Sequence, residues 1–82
     1  MPLKFYDFTI VIEAEEGEAG GFYAYSPQLP GCYSNGQTIE EARRNMREAI
    51  QQHLAVLLEH NDPIPRRDHP FFVEEISIGV PA

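Results

Sequence analysis

The sequence has no tryptophan, a single cysteine and only six basic residues, and each scarcity removes a class of answers. With Cys32 alone, no disulfide forms within the chain, and a reducing compartment, the cytoplasm, is the expected location. Six Lys and Arg against thirteen Asp and Glu leave a formal net charge of −7. Phosphate backbones are bound by clustered cations, so direct nucleic-acid binding is not expected, whereas a basic partner or plain solubility is. No apolar run approaches the roughly 18 residues of a membrane span. Met1-Pro2-Leu3-Lys4 does not open a signal peptide either, so a soluble protein without membrane contact is expected.

Eighty-two residues suit one domain, residues 1–82. A chain of this size buries only about 60% of the surface its unfolded form exposes, so small proteins add disulfides, metals or partner subunits. The first two are not on offer. Self-association into a dimer or higher oligomer is therefore the default expectation.

What the sequence does contain is alternation. Across residues 5–14, Tyr6, Phe8, Ile10 and Ile12 fall on one side and Asp7, Thr9, Val11 and Glu13 on the other. That period of two predicts a strand. The charged, glycine-rich stretch 15–21 is a turn, and Phe22-Tyr23-Ala24-Tyr25 reads as a second strand stopped by Pro27. Gln28-Leu29-Pro30-Gly31 is a constrained connection, Cys32-Tyr33-Ser34 a short third strand, and Asn35-Gly36 a turn.

Residues 38–60 predict a helix. Thr38 can cap its first turn, and Glu41 three residues on completes a capping box. Ile39, Ala42, Met46, Ala49, Ile50, His53, Leu54 and Leu57 recur at three- and four-residue spacing as one apolar stripe. Glu40 with Arg44, and Arg44 with Glu48, are expected exposed pairs. Asn61 suits a left-handed stop, and Pro63 and Pro65 forbid continuation. Residues 63–70 should cross the surface in extended form. Residues 72–80 alternate again, with Ile76, Ile78 and Val80 against Glu75, Ser77 and Gly79, which predicts a fourth strand.

The expected order is β-β-β-α-β: an α+β fold, an antiparallel sheet with one long helix packed on one face. Its other face would stay uncovered, carrying Thr9, Val11 and some of Phe5, Tyr23, Tyr25 and Val73 according to register. An uncovered apolar face of this kind meets another subunit or a partner.

Little in the chain suggests catalysis. Two-metal hydrolysis needs converging carboxylates, yet the first strand centres on Ile10-Val11-Ile12. Glu13, Glu15, Glu16 and Glu18 crowd a hairpin, where a solvated acidic surface is the simpler reading. His53, His60 and His69 show no zinc spacing, and no metal or cofactor is expected. Cys32 lacks a neighbouring base, so a small buried residue is the plainer role, with an interface role for the 29–33 loop as the alternative. Arg43, Arg44 and Arg47 form the basic patch, best used against Glu40, Glu41 and Glu48. Tyr23 and Tyr25 could stack on bases, but no basic groove accompanies them in sequence.

The run Gly20-Gly21-Phe22-Tyr23-Ala24-Tyr25-Ser26-Pro27-Gln28-Leu29-Pro30-Gly31-Cys32, followed by Gly36-Gln37-Thr38-Ile39-Glu40-Glu41-Ala42, resembles the HicB-like antitoxin family. The resemblance covers roughly residues 6–65. One departure is Gln28, where the family often has Asp. It implies a partial ribonuclease-H-like fold, oligomers, and neutralisation of a small basic RNA-cleaving toxin, HicA, by protein–protein contact. Family members of full length continue into a DNA-binding domain, whereas this sequence ends at Ala82, so operator binding is not expected. A stand-alone homo-oligomeric structural or regulatory protein is the alternative. Candidate partner-binding residues are Tyr23, Tyr25, Leu29, Pro30, Gly31, Cys32 and Tyr33.

Overall fold

The structure, a computed structural model, describes residues 2–66 and 72–82. Its elements are β1 (Val11–Ala14), β2 (Phe22–Tyr25), β3 (Tyr33–Gly36) and α1 (Ile39–Glu59). The strands form one antiparallel sheet in the order β1-β2-β3, and α1 lies on one side of it. The α+β architecture is the one the alternation and the helical stripe predict.

Register decides which side chains meet the helix. Val11 lies opposite Tyr25, and Tyr25 opposite Tyr33; one step on, Ile12, Ala24 and Ser34 align. Because side chains alternate across a strand, the Ile12-Ala24-Ser34 row faces α1 and the tyrosine row faces away. The core joins Ala24, Leu29, Cys32 and Met46, with Phe8, Ile10, Ile12, Ala49 and Ile50 packed against them. Ala42 is also fully buried. Small residues under the helix let it approach closely. At Gly36 a Cβ would sit 2.6 Å from the Ala42 nitrogen, so the end of β3 touches the first turn of α1. Ser34 Oγ donates to the Ala42 carbonyl at 3.3 Å, and Asn45 Nδ2 to the Asn35 carbonyl at 2.9 Å, tying β3 to the helix.

Both ends of α1 are closed by local chemistry. Thr38 Oγ1 accepts from the Glu41 N–H at 3.0 Å, while the Glu41 carboxylate accepts from the Gln37 N–H, one residue earlier than a standard capping box. At the other end Asn61 takes φ 58°, its N–H donates to the Leu58 carbonyl, and the Asp62 N–H donates to that of Leu57. Those two bonds make a Schellman motif around Asn61.

Four expectations change. First, β1 begins at Val11 rather than near Phe5, because its partner β2 ends at Tyr25. There Ser26-Pro27 turns the chain away, with bonds from the Leu29 N–H to Ser26 O and from the Cys32 N–H to Leu29 O. Second, residues 72–82 form no strand and every one of them is exposed, so the last β of the expected order is missing. Alternation makes that segment able to pair; a strand also needs an edge beside it. Third, among the described residues the helix ion pair is Arg43 with Glu40, three apart at 2.7 Å, and not the four-apart pairs through Arg44. Fourth, Asn35 and Gly36 belong to β3 instead of forming a turn. His69 and the expected extended crossing beyond Arg66 lie outside the described residues.

The helix is also longer than the sheet it covers. Twenty-one residues span about 31 Å, against about 13 Å for a four-residue strand. Its first half therefore buries Ala42 and Met46, whereas Leu54 and Leu57 are only half-buried and Val56 and Leu58 are exposed.

Candidate partner-binding face

The side of the sheet away from α1 carries Val11, Glu13, Tyr23, Tyr25, Tyr33 and Asn35. Nothing covers it among the described residues. Tyr23 and Tyr25 are each 36% exposed and Tyr33 72%. The Tyr23 and Tyr25 rings stack with centroids 6.2 Å apart and planes 20° from parallel. Tyr23 Oη donates to Glu13 Oε2 across the strand pair at 2.8 Å. That bond, to an anion, holds the Tyr23 phenol above its ordinary 10.0, with neighbouring Glu15 adding to the effect. The β1–β2 connection beyond the face carries Glu15, Glu16 and Glu18, all exposed. The result is an aromatic surface with a uniformly acidic end.

The candidate partner-binding residues divide between this surface and the interior. Tyr23, Tyr25 and Tyr33 share the open face, brought together by a register that sets Tyr25 opposite Tyr33. Pro30 and Gly31 are exposed in the connection, where Gly31 at φ 84° makes the turn possible. Leu29 and Cys32 are 1% and 6% exposed and belong to the core. Burial pushes the Cys32 thiol above its ordinary range, the opposite of what a nucleophile needs. Gln28 ties the loop to the N-terminal segment: its Oε1 accepts from the Thr9 N–H and from Ser26 Oγ, both at 3.1 Å.

One feature is not predicted from sequence. Lys4, Phe5, Phe8 and Ile10 stand beside Arg43, Arg47, Ile50 and Leu54 across a groove of about 490 Å³. It has apolar walls and cationic margins. Arg43 and Arg47 of this groove stand on α1, which also carries the exposed Glu40, Glu48 and Glu59 and the half-buried Glu41. Next to the groove the Arg66 guanidinium stands over the Tyr6 ring and holds its phenol below 10.0. The available signal was the alternation of 5–10 together with arginines four apart at 43 and 47. These segments lie far apart in sequence, so only the fold joins them.

Among the described residues no three His, Cys, Asp or Glu side chains gather as they must to hold a metal ion. No helix among them is long and apolar enough to cross a membrane.

Comparison with known proteins places the chain. A UPF0150 protein of Synechocystis is 38% identical over 79 residues, covering 96% of this chain and 95% of the relative. One from Thermoplasma acidophilum is 38% identical over 72 residues, covering 87% and 94%. One from Helicobacter pylori is 47% identical over 47 residues, covering 57% and 61%. No solved structure gives a significant match. The family model for the HicB-like antitoxin of bacterial toxin–antitoxin systems matches residues 8–76, through all three strands, the helix and the start of the C-terminal segment, and the chain belongs to that family.

Proposed function

We propose that the protein is an antitoxin module that acts by binding, not by catalysis, and that its tyrosine face covers a small basic RNA-cleaving toxin of the HicA type. Membership of the antitoxin family supports the general role. The observation that carries the finer reading is the open sheet face, with Tyr23, Tyr25 and Tyr33 beside a cluster of Glu13, Glu15, Glu16 and Glu18. Tyrosine gives large contact area at low entropic cost, and interface centres are enriched in it. The carboxylates would attract a cationic partner and orient its approach, raising the association rate in a salt-dependent way. A ribonuclease whose own surface is basic for RNA presents the complementary charge. The complex would then form in the cytoplasm, where the toxin meets RNA.

The test is co-expression with the product of the adjacent small reading frame. The expected result is co-purification and rescue of growth by this chain. Changing Tyr23, Tyr25 and Tyr33 together to Ser should abolish both while leaving the circular dichroism of the fold in place. A pair that fails to co-purify, or a triple variant that still rescues, would sink the reading.

A further inference from the structure

A chain with a net charge of −7 gathers four of its six basic residues in one place. Lys4, Arg43 and Arg47 line the groove between residues 4–10 and α1, and Arg66 stands next to it over Tyr6. Only Arg43 has a carboxylate partner among the described residues, Glu40 at 2.7 Å, whereas Lys4, Arg47 and Arg66 pair with none. Lys4 and Arg66 instead rest on the Tyr6 ring, 5.6 and 5.1 Å from its centroid, which holds both cations at the end of the groove. Between the cations the floor is apolar. Phe8, Ile10 and Ile50 pack on the core and are only half-buried, and Leu54 continues the floor along the helix.

We propose that this groove docks a segment of another protein: an acidic amphipathic helix, its apolar face on the floor and its carboxylates on Lys4 and Arg47. Charge sets the sign of the partner. Arg43 is shared with Glu40, so Lys4 on one wall and Arg47 on the other carry the recognition. Length sets its form. Arg43 to Leu54 spans about 16 Å of α1, about three turns of a second helix, enough for apolar anchors at three- and four-residue spacing. A helix satisfies its own backbone, so side chains alone can hold it and the main chain of residues 4–10 takes no part. Nucleic acid fits less well. Ile10, Ile50 and Leu54 give bases no ring to stack on, and the Tyr6 ring already holds two cations. The basic toxin proposed for the tyrosine face would be repelled here, so this partner is a different protein and the inference does not rest on that contact.

The experiment titrates the isotope-labelled full chain with a synthetic acidic amphipathic peptide of about twelve residues, leucine on one face and glutamate on the other. The methyl signals of Ile10, Ile50 and Leu54 are expected to shift, while those of Val11, on the tyrosine side, stay. Two control peptides, with lysine for glutamate and with serine for leucine, should leave all of them in place. Lys4→Glu with Arg47→Glu should weaken the acidic peptide about tenfold or more and let the lysine peptide bind instead. Both positions are exposed, so circular dichroism should report the same fold. No shift with the acidic peptide, shifts at Val11 rather than in the groove, equal binding of either control, or unchanged affinity in the double variant would each overturn the proposal. So would a single-stranded oligonucleotide that displaces the peptide from the groove.

Discussion

The two sides of this sheet are built from the same twelve strand residues and have opposite characters. The side under α1 presents Ile12, Ala14, Phe22, Ala24, Ser34 and Gly36, four of the six small, and the helix adds Ala42 and Ala49 to meet them. The far side presents Val11, Tyr23, Tyr25 and Tyr33, mostly large, with no element over them among the described residues. Small residues are placed where backbones must approach; the three tyrosines stand where no described residue covers them. The difference teaches that the closed side holds the fold, while the open side has no cover among the described residues.

The sharpest way to break that comparison is at the closed side. Met46 is fully buried between the sheet and the helix. Met46→Ala should cost about 2–5 kcal/mol, which is a large share of the total stability of a small domain. The melting temperature followed by circular dichroism should fall by at least about 10 °C. A fall of only a degree or two would mean that the helix and sheet are not the folded unit. Gly36→Ala tests the same seam from the backbone side. Its Cβ would press on the Ala42 nitrogen and the Glu41 Cβ, and these cannot yield without shifting the first turn of α1. A loss of about 1–3 kcal/mol is expected, against little change for Gly79→Ala, where no neighbour lies within 4 Å. Equal melting temperatures for the two alanine variants would refute the close approach.

A smaller effect is expected at the helix entrance. Thr38→Ala removes the acceptor for the Glu41 N–H and should cost about 1 kcal/mol, with Thr38→Ser largely restoring the loss. This is also where the sequence was most readable. The caps at Thr38 and Asn61, the breakers around them and the second strand at Phe22–Tyr25 depend on local chemistry, and local chemistry is written residue by residue. The extent of β1 and the fate of residues 72–80 are not local. Alternation states that a segment can pair, but whether it does depends on where its neighbour ends, and β2 ends at Tyr25. The same reason explains the divided outcome at the candidate site. Tyr23 and Tyr25 were legible as one face by their spacing, and register added Tyr33. That Leu29 and Cys32 turn inward while Pro30 and Gly31 stay out follows from the path of a turn, which no periodicity records.

The open side can be sharpened without disturbing the fold, through the titration of its tyrosines. Tyr23 donates to the Glu13 carboxylate, and ionising the phenol would place two anions face to face. Its folded value therefore lies above the 10.0 of the unfolded chain. With the folded value raised, the contact's contribution is fully present below pH 10.0 and is lost as pH rises through the folded value. At neutral pH Glu13→Gln should leave the melting temperature nearly unchanged, because an exposed pair of this kind contributes little. What should change is the ultraviolet titration of tyrosine. The Tyr23 transition should move down toward 10.0 and stop short of it, since Glu15 and Tyr25 still oppose ionisation. Tyr6, beside Arg66, should continue to titrate below 10.0 and serves as the internal reference. If Tyr23 did not move, the acidic end of the tyrosine face would not be acting on it, and the electrostatic half of the proposed toxin contact would lose its footing.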